Sequence, residues 1–479
     1  VITPNSNPLN LTLTHKRMAA YSCPEMTLSA IEFTIQLFLL DFYVRVVGLN
    51  PALAGIALGI GIIWSIVLDP FCGFLSDRTH SRLGQRIPYL MMGGLLLSVS
   101  LIPLFNPLFS FEYQSTRMLY LLVSYIFVNT SMTLIAVPHI TVAGELSSHQ
   151  ATRTYLFSWR FLFANIGLLI AIAVPWLLTP SAQGKGLSTN GSILQGQSSV
   201  IYSITLVLTT LICVTSLIQW HKRPYRALKM PEFGNRLNAF MSEIGTTFRH
   251  IAFRVLILSA FIAGIGQALN TFFSIFYYRD ALKLSSKTDY TLILLVFIVA
   301  TISSIPLWLK LSHRFSKKIC FSTALGILGI MTFFIYPQLP EKNILAPIAV
   351  ALIAGLLSGS LFLLESFVAD CADLHEAHCG IHRSGIYFGV WKMIGKLSRA
   401  ITFVFSGILL HLLGYQSATD SGIQSAHTID GLRILFGPII GTLFMLSAIS
   451  FFFIPLTPLK MDRIRKIIQR RRARPEYHR

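Results

Sequence analysis

The chain has 479 residues, and only 12% of them are charged, about half the share usual in water-soluble proteins. With 53% hydrophobic residues, 35 Phe and a net formal charge of +19, it lacks the polar surface needed to coat a globule in water. That excludes a soluble enzyme and makes lipid the solvent for most of the surface.

Stretches of about 20 apolar residues bounded by charge or turn signals predict an all-α polytopic membrane protein of twelve spans. They lie near residues 26–46, 52–75, 88–108, 117–142, 155–179 and 199–220 in the first half. In the second half they lie near 251–278, 289–311, 318–337, 343–370, 384–413 and 432–456. Residues 1–16 carry no signal-peptide pattern, so the opening helix is expected to be retained. An even number of spans places both termini on one side of the membrane. The connections on that side hold 27 Lys and Arg against 8 on the other, so both termini are expected to be cytoplasmic.

The longest basic connection, 221–250, divides the spans six and six. The expected organisation is therefore a bundle over 1–220, a cytoplasmic linker over 221–250, a second bundle over 251–456 and a basic tail over 457–479. The polar stretches 180–198 and 414–431 read as outer loops. Because the basic residues sit in short segments between apolar stretches, no nucleic-acid partner is expected. The six cysteines have no regular spacing and indicate no disulfide framework.

The two halves echo each other. Gly73-Phe-Leu-Ser-Asp77-Arg78 continues through Arg82 to Arg86 after the second span, and Lys310-Leu-Ser-His313-Arg314 continues to Lys317-Lys318 after the eighth. Duplicated halves are the usual construction of secondary transporters, in which two bundles rock about a midplane site.

The first of these turns, with Asp69-Pro70 before it and Ile87-Pro88 after it, resembles the turn that follows helix two in the major facilitator superfamily. Together with Val368-Ala-Asp370-Cys-Ala-Asp373-Leu-His-Glu376, Arg383, Gly385-Ile-Tyr-Phe-Gly389 and Lys396, it resembles the glycoside-pentoside-hexuronide:cation symporter family. The resemblance implies a secondary transporter, not an enzyme. No resident cofactor is expected; the expected partners are H⁺ or Na⁺ as coupling ion, a small-molecule solute and the lipid bilayer, in a bacterial inner membrane. The protein is expected to work as a monomer.

Charges inside the bilayer cost at least ~2.5–3.5 kcal/mol each, so each one is a functional candidate. These are Glu32, Asp41, Asp69, Arg160, Glu365, Lys392, Lys396 and Arg399. Ser65, Asp69, Cys72 and Ser76 recur at helical spacing as one polar stripe on span two. The resemblance implies that Asp69 holds the coupling ion, with Ser65 standing where relatives carry a second aspartate, and that Lys396 responds to that charge. It also makes Arg160 a solute contact. Ser29 and Ala136 stand where sugar-binding aspartates are expected, and Glu32, on a face with Ser29 and Gln36, partly replaces the lost acid. Thr133 and Lys392 complete the predicted solute site, and fewer anions beside these cations suit a solute bearing negative charge. Asp77, Arg78, Arg82, Arg86, Asp370, Asp373 and Arg383 are the predicted cytoplasmic gate.

Cys371, His375, His378, Cys379 and His382 crowd one segment, but their spacing matches no closed metal site, so no metal is expected. Histidines pairing with Asp370, Asp373 or Arg383 are the expected reading there. No phosphate loop, dinucleotide fingerprint or nucleophile elbow is present, so transport must draw on an ion gradient or on the solute's own. Two other readings fit the same residues: a lysolipid or amphiphile carrier, and a solute sensor that does not transport.

Overall fold

A computed structural model describes residues 15–45, 47–79, 81–107, 113–146, 150–178, 190–220, 236–284, 287–380, 383–413 and 425–472. The first bundle comprises α1 (His15–Arg45), α2 (Pro51–Arg78), α3 (Ile87–Phe105), α4 (Gln114–Glu145), α5 (Gln150–Leu178) and α6 (Asn190–Trp220). A short helix, α7 (Arg236–Thr247), follows in the linker. The second bundle is built from α8 (Ile251–Phe276), α9 (Lys287–Phe315), α10 (Lys317–Ile335), α11 (Leu345–Ser358), α12 (Phe362–Cys379), α13 (Ser384–Leu412), α14 (Ala426–Ile434) and α15 (Ile440–Phe452). A single tighter turn at Gly359–Leu361 joins α11 to α12 as one span, and a wider turn at Leu435–Ile439 joins α14 to α15. In the tail, α16 (Pro458–Arg472) buries Met461, Ile464 and Ile468 beside α12 and keeps Lys460, Arg463, Lys466 and Arg470 in solvent.

Among the described residues, ten spans are long and apolar enough to cross a membrane. The other two are α1, which carries Glu25 and Glu32, and α13, which carries Lys392, Lys396 and Arg399. These helices contribute charge that a bilayer does not tolerate, and Glu32 of α1 meets Arg399 of α13 across the boundary between the bundles.

The structure shows on α2 why the apolar pattern and the polar stripe coexist. Ser65, Asp69, Cys72 and Ser76 are all buried, whereas Ile56, Ile63 and Val67 on the opposite face are exposed. The helix is inverted relative to a soluble one, with apolar residues toward lipid and polar residues inside.

The basic half of α2 packs against the start of α13 with almost no side chain between them. A Cβ on Gly73 would lie 2.2 Å from the Gly385 carbonyl oxygen, and one on Gly389 would lie 2.6 Å from Pro70 Cα. Glycine is required here because backbone meets backbone.

Three boundaries differ from those read in the sequence. α1 begins at His15, not near 26, and runs through Pro24, which brings Glu25 into the first span. The polar stretch 180–198 shortens because α6 starts at Asn190; residues 179–189 are outside the described ones. The stretch 414–431 shortens because Ser425 caps α14, its hydroxyl accepting the Thr428 amide, and residues 414–424 are not described. Residues 221–235 of the expected linker also lie outside the described set.

Candidate solute and cation site

Asp69 lies past the middle of α2, towards its Arg78 end, and is 1% exposed. Lys396 of α13, in the other bundle, places Nζ 2.8 Å from Asp69 Oδ1. The Thr133 hydroxyl of α4 donates to the same oxygen at 2.6 Å, and Lys396 Nζ also donates to Thr133 Oγ1 at 3.4 Å. Asp69 Oδ2 is buried with no hydrogen-bond partner among the described residues. The result is a carboxylate with one oxygen held by an ammonium and a hydroxyl and the other unclaimed. The Lys396 side chain keeps 19% exposure, so the pair borders space that is not packed solid.

A second knot surrounds Arg160 of α5, which is 1% exposed. Its Nη1 donates to Glu365 Oε2 of α12 at 2.5 Å, and its Nη2 donates to Glu25 Oε2 of α1 at 2.7 Å. His139 Nδ1 lies 3.1 Å from the same Glu25 oxygen, and Tyr21 stacks on the His139 ring at 4.6 Å. The guanidinium therefore spends its fork on two protein carboxylates that join both bundles. A third pair, Glu32 with Arg399 at 2.9 Å, is much more open, with side chains 42% and 41% exposed.

The predicted solute residues do not all converge. Ser29 sits at the contact of α1 with α5, its Cβ 3.1 Å from where a Cβ on Gly167 would be, because this glycine lets the two helices touch. Ser65 donates to the Ile62 carbonyl oxygen one turn back, at 2.8 Å, and not to Asp69. Thr133 is committed to Asp69. Gln36 donates to Glu32 at 3.4 Å and stays exposed. Lys392 is half-buried one turn before Lys396, within electrostatic reach of Glu25 and Glu32. The side chain of Asp41 is outside the described ones.

On the basic side the bundles are bolted together. Asp77 accepts the Gly385 and Ile386 amides at 3.1 and 3.2 Å, capping α13, while Arg86 pairs with both Asp77 and Glu145. Ser384 donates to Glu145 from the other bundle. Arg153 binds Asp373 at 2.7 Å and Asp370 at 3.5 Å, and Lys317 holds Asp370 at 2.8 Å. The duplication is visible here: Arg86 opens α3 and ties the ends of α2 and α4, and Lys317 opens α10 and holds Asp370 within α12 of its own bundle. Arg78 stacks over Phe74 at 3.9 Å and pairs with Glu243 of α7, which also lies 3.5 Å from Arg383. Arg82 is exposed, and among the described residues it makes no ion pair, so the expected gate loses this member.

Sequence reading missed Glu25, Glu145, Glu243, Arg153 and Lys317 as partners. Glu25 fell outside the predicted span.

The histidines also differ from expectation. His375 lies on His250, at the start of α8, with Nδ1 3.2 Å from His250 Nε2, and His378 lies 5.5 Å from the His250 ring. Asp370 and Asp373 are held by Arg153 and Lys317, and His382 lies outside the described residues. Burial first, then the neighbouring His378, hold the His250 pKa below the ordinary value near ~6.5. A depressed histidine binds fewer protons folded than unfolded, so stability is lost as the pH falls below about 6.5. The melting temperature is expected to drop between pH 7.5 and 5.5, and His250→Asn to flatten that drop; an identical profile in the variant would exclude His250 as a contributor.

A profile of the MFS/sugar transport protein family matches residues 20–458. The chain belongs to that family. It is 24% identical over 473 residues to the putative glycoside/cation symporter YagG of Escherichia coli, covering 97% of both chains. Its identity to the sodium-dependent lysophosphatidylcholine symporter 1 of Xenopus tropicalis is 23%, over 93% of this chain and 87% of that one. The glucuronide carrier protein homolog of Escherichia coli is 23% identical, covering 95% and 96%. Among solved structures, the E. coli fucose:proton symporter FucP superposes with a TM-score of 0.60 at 13% identity, covering 92% of this chain and 98% of that one. The proton:xylose symporter XylE gives 0.60 at 15%, covering 92% and 95%. This MFS protein thus has the two-bundle transporter fold that the resemblance implied.

Proposed function

We propose that this MFS protein is a cation-coupled symporter of a small organic solute that works by alternating access, with both ends cytoplasmic in a bacterial inner membrane. The observation that carries this reading is the Asp69–Lys396 pair, which ties one bundle to the other and leaves Asp69 Oδ2 unclaimed. A proton or Na⁺ arriving at that oxygen weakens the hold of Asp69 on Lys396, because a carboxylate satisfied by a cation no longer needs the ammonium. The bundles are then free to change their angle. The closed basic face supports an outward-facing state, since the interbundle ion pairs among the described residues run from midspan to that face. Arg160 acts from behind as the strut that holds Glu25 and Glu365, while Glu32, Gln36, Lys392 and Arg399 form the accessible wall for the solute.

A thermal-shift screen of the purified protein tests this reading. Sugars, uronides and lysophosphatidylcholine are each assayed with and without Na⁺ and at two pH values. Stabilisation by one solute class only when one cation is present is the expected result. Equal stabilisation under every ionic condition would remove the coupling. Stabilisation by the lysolipid alone would select the amphiphile reading.

The gate gives a separate expectation. Glu243→Gln releases Arg78 and Arg383, leaving two cations without their buried anion, so the closed basic face loosens. Hydrogen exchange at the Gly385 and Ile386 amides is expected to quicken ~10-fold or more. Unchanged protection would show that α7 is a passive linker.

A further inference from the structure

We infer that the solute carries a single negative charge, as a carboxylate or a phosphodiester, and that Lys392 is the residue that takes it; this rests on the symporter reading above. Three of the four midspan cations are bonded to carboxylates: Lys396 to Asp69, Arg399 to Glu32, and Arg160 to Glu25 and Glu365. Lys392 is the fourth. It is half-buried on α13 and, among the described residues, has neither an ion pair nor a hydrogen bond. Glu25 and Glu32 on α1 lie within its electrostatic reach, but each already pairs with an arginine, Glu25 with Arg160 and Glu32 with Arg399. An ammonium taken further out of water as the bundles close around a solute is costly unless an anion meets it. A neutral solute leaves that cost standing, and an anionic one removes it.

Charge balance points the same way. Among the described side chains, the midspan cations and carboxylates number four each, so that set is formally neutral before loading. One coupling cation and one monoanion together keep it neutral, whereas a cation with an uncharged solute leaves an excess charge inside the bilayer during the flip. The coupling ion and the solute's charge therefore compensate each other, and Lys392 and Asp69 receive them at separate points.

The test uses matched pairs that differ in charge: methyl β-D-glucuronide with methyl β-D-glucoside, and lysophosphatidylglycerol with monoacylglycerol. Binding to the full-length protein is measured by thermal shift with and without Na⁺ at pH 5.5 and 7.5. In one of the pairs the anionic member is expected to bind ~10-fold or more tightly than its neutral partner. The pair that responds tells a sugar acid from a lipid headgroup. Lys392→Gln is expected to erase the preference and Lys392→Arg to retain it, each variant being checked for an unchanged melting temperature without ligand. Equal or stronger binding of the neutral members, no shift with any of the four, or a preference that survives Lys392→Gln would overturn the assignment. Cation-dependent binding of neutral members would sink the anion claim and leave symport standing. Anion binding that depends on Lys392 but is indifferent to Na⁺ and pH would do the reverse.

Discussion

In proteoliposomes, Asp69→Asn is expected to reduce gradient-driven accumulation of the solute to the level set by simple equilibration, while solute-for-solute exchange continues. Asparagine keeps the shape of the side chain and can still accept a hydrogen bond from Thr133 or Lys396, so the contact of α2 with α4 and α13 survives. It has no charge with which to hold a proton or Na⁺ at the second oxygen. Lys396 then has no anion whose loading it can report, and the bundles change angle whether or not an ion is present. Accumulation at the wild-type level in this variant would remove Asp69 from the coupling step.

Arg160→Ala is expected to destabilise the protein by ~3–5 kcal/mol, the usual consequence of removing one partner from a buried ion pair. The reason lies in what remains, since Glu25 and Glu365 would face each other from opposite bundles with no cation between them. Arg160→Lys is expected to recover only part of the loss, because an ammonium is a single point charge and cannot span two carboxylates as a planar fork does. Adding Glu25→Gln to the alanine variant should recover stability by removing one of the stranded charges. A melting temperature unchanged by Arg160→Ala would show that the knot contributes nothing to holding the bundles.

Much of this arrangement is legible in the sequence because a bilayer makes charge expensive. The twelve spans follow from apolar length, and Asp69, Arg160, Lys396, Glu32 and Arg399 stand out as charges inside them. Their pairing was harder to read. The partner of Asp69 is 327 positions away and is set by how the bundles face each other, which no local pattern encodes. Glu25 escaped notice for a local reason, since it lies just before residue 26, where the apolar run begins, whereas the helix starts at His15 and continues through Pro24. Ser29 and Ser65 show that helical spacing alone does not fix a side chain's partner. Both lie at helical spacing from functional residues, but Ser29 is at a helix contact permitted by Gly167, and Ser65 hydrogen-bonds its own helix. The role of α7 was hidden because a basic connection reads as solvated charge; only its docking, with Phe240 against Phe71 and Phe74, brings Glu243 between Arg78 and Arg383.

The most direct measurement of the central claim, that ion and solute together release a latched pair of bundles, is a distance between them at the basic face. Spin labels on the exposed native Cys379, at the end of α12, and on Arg82→Cys, in the exposed turn after α2, report that separation by pulsed electron resonance. The account predicts one short distance in the free protein and a second, longer one when the stabilising solute and its cation are both present. In Asp69→Asn the longer distance should no longer require the cation. A single unchanged distance under every combination of solute and cation would contradict it.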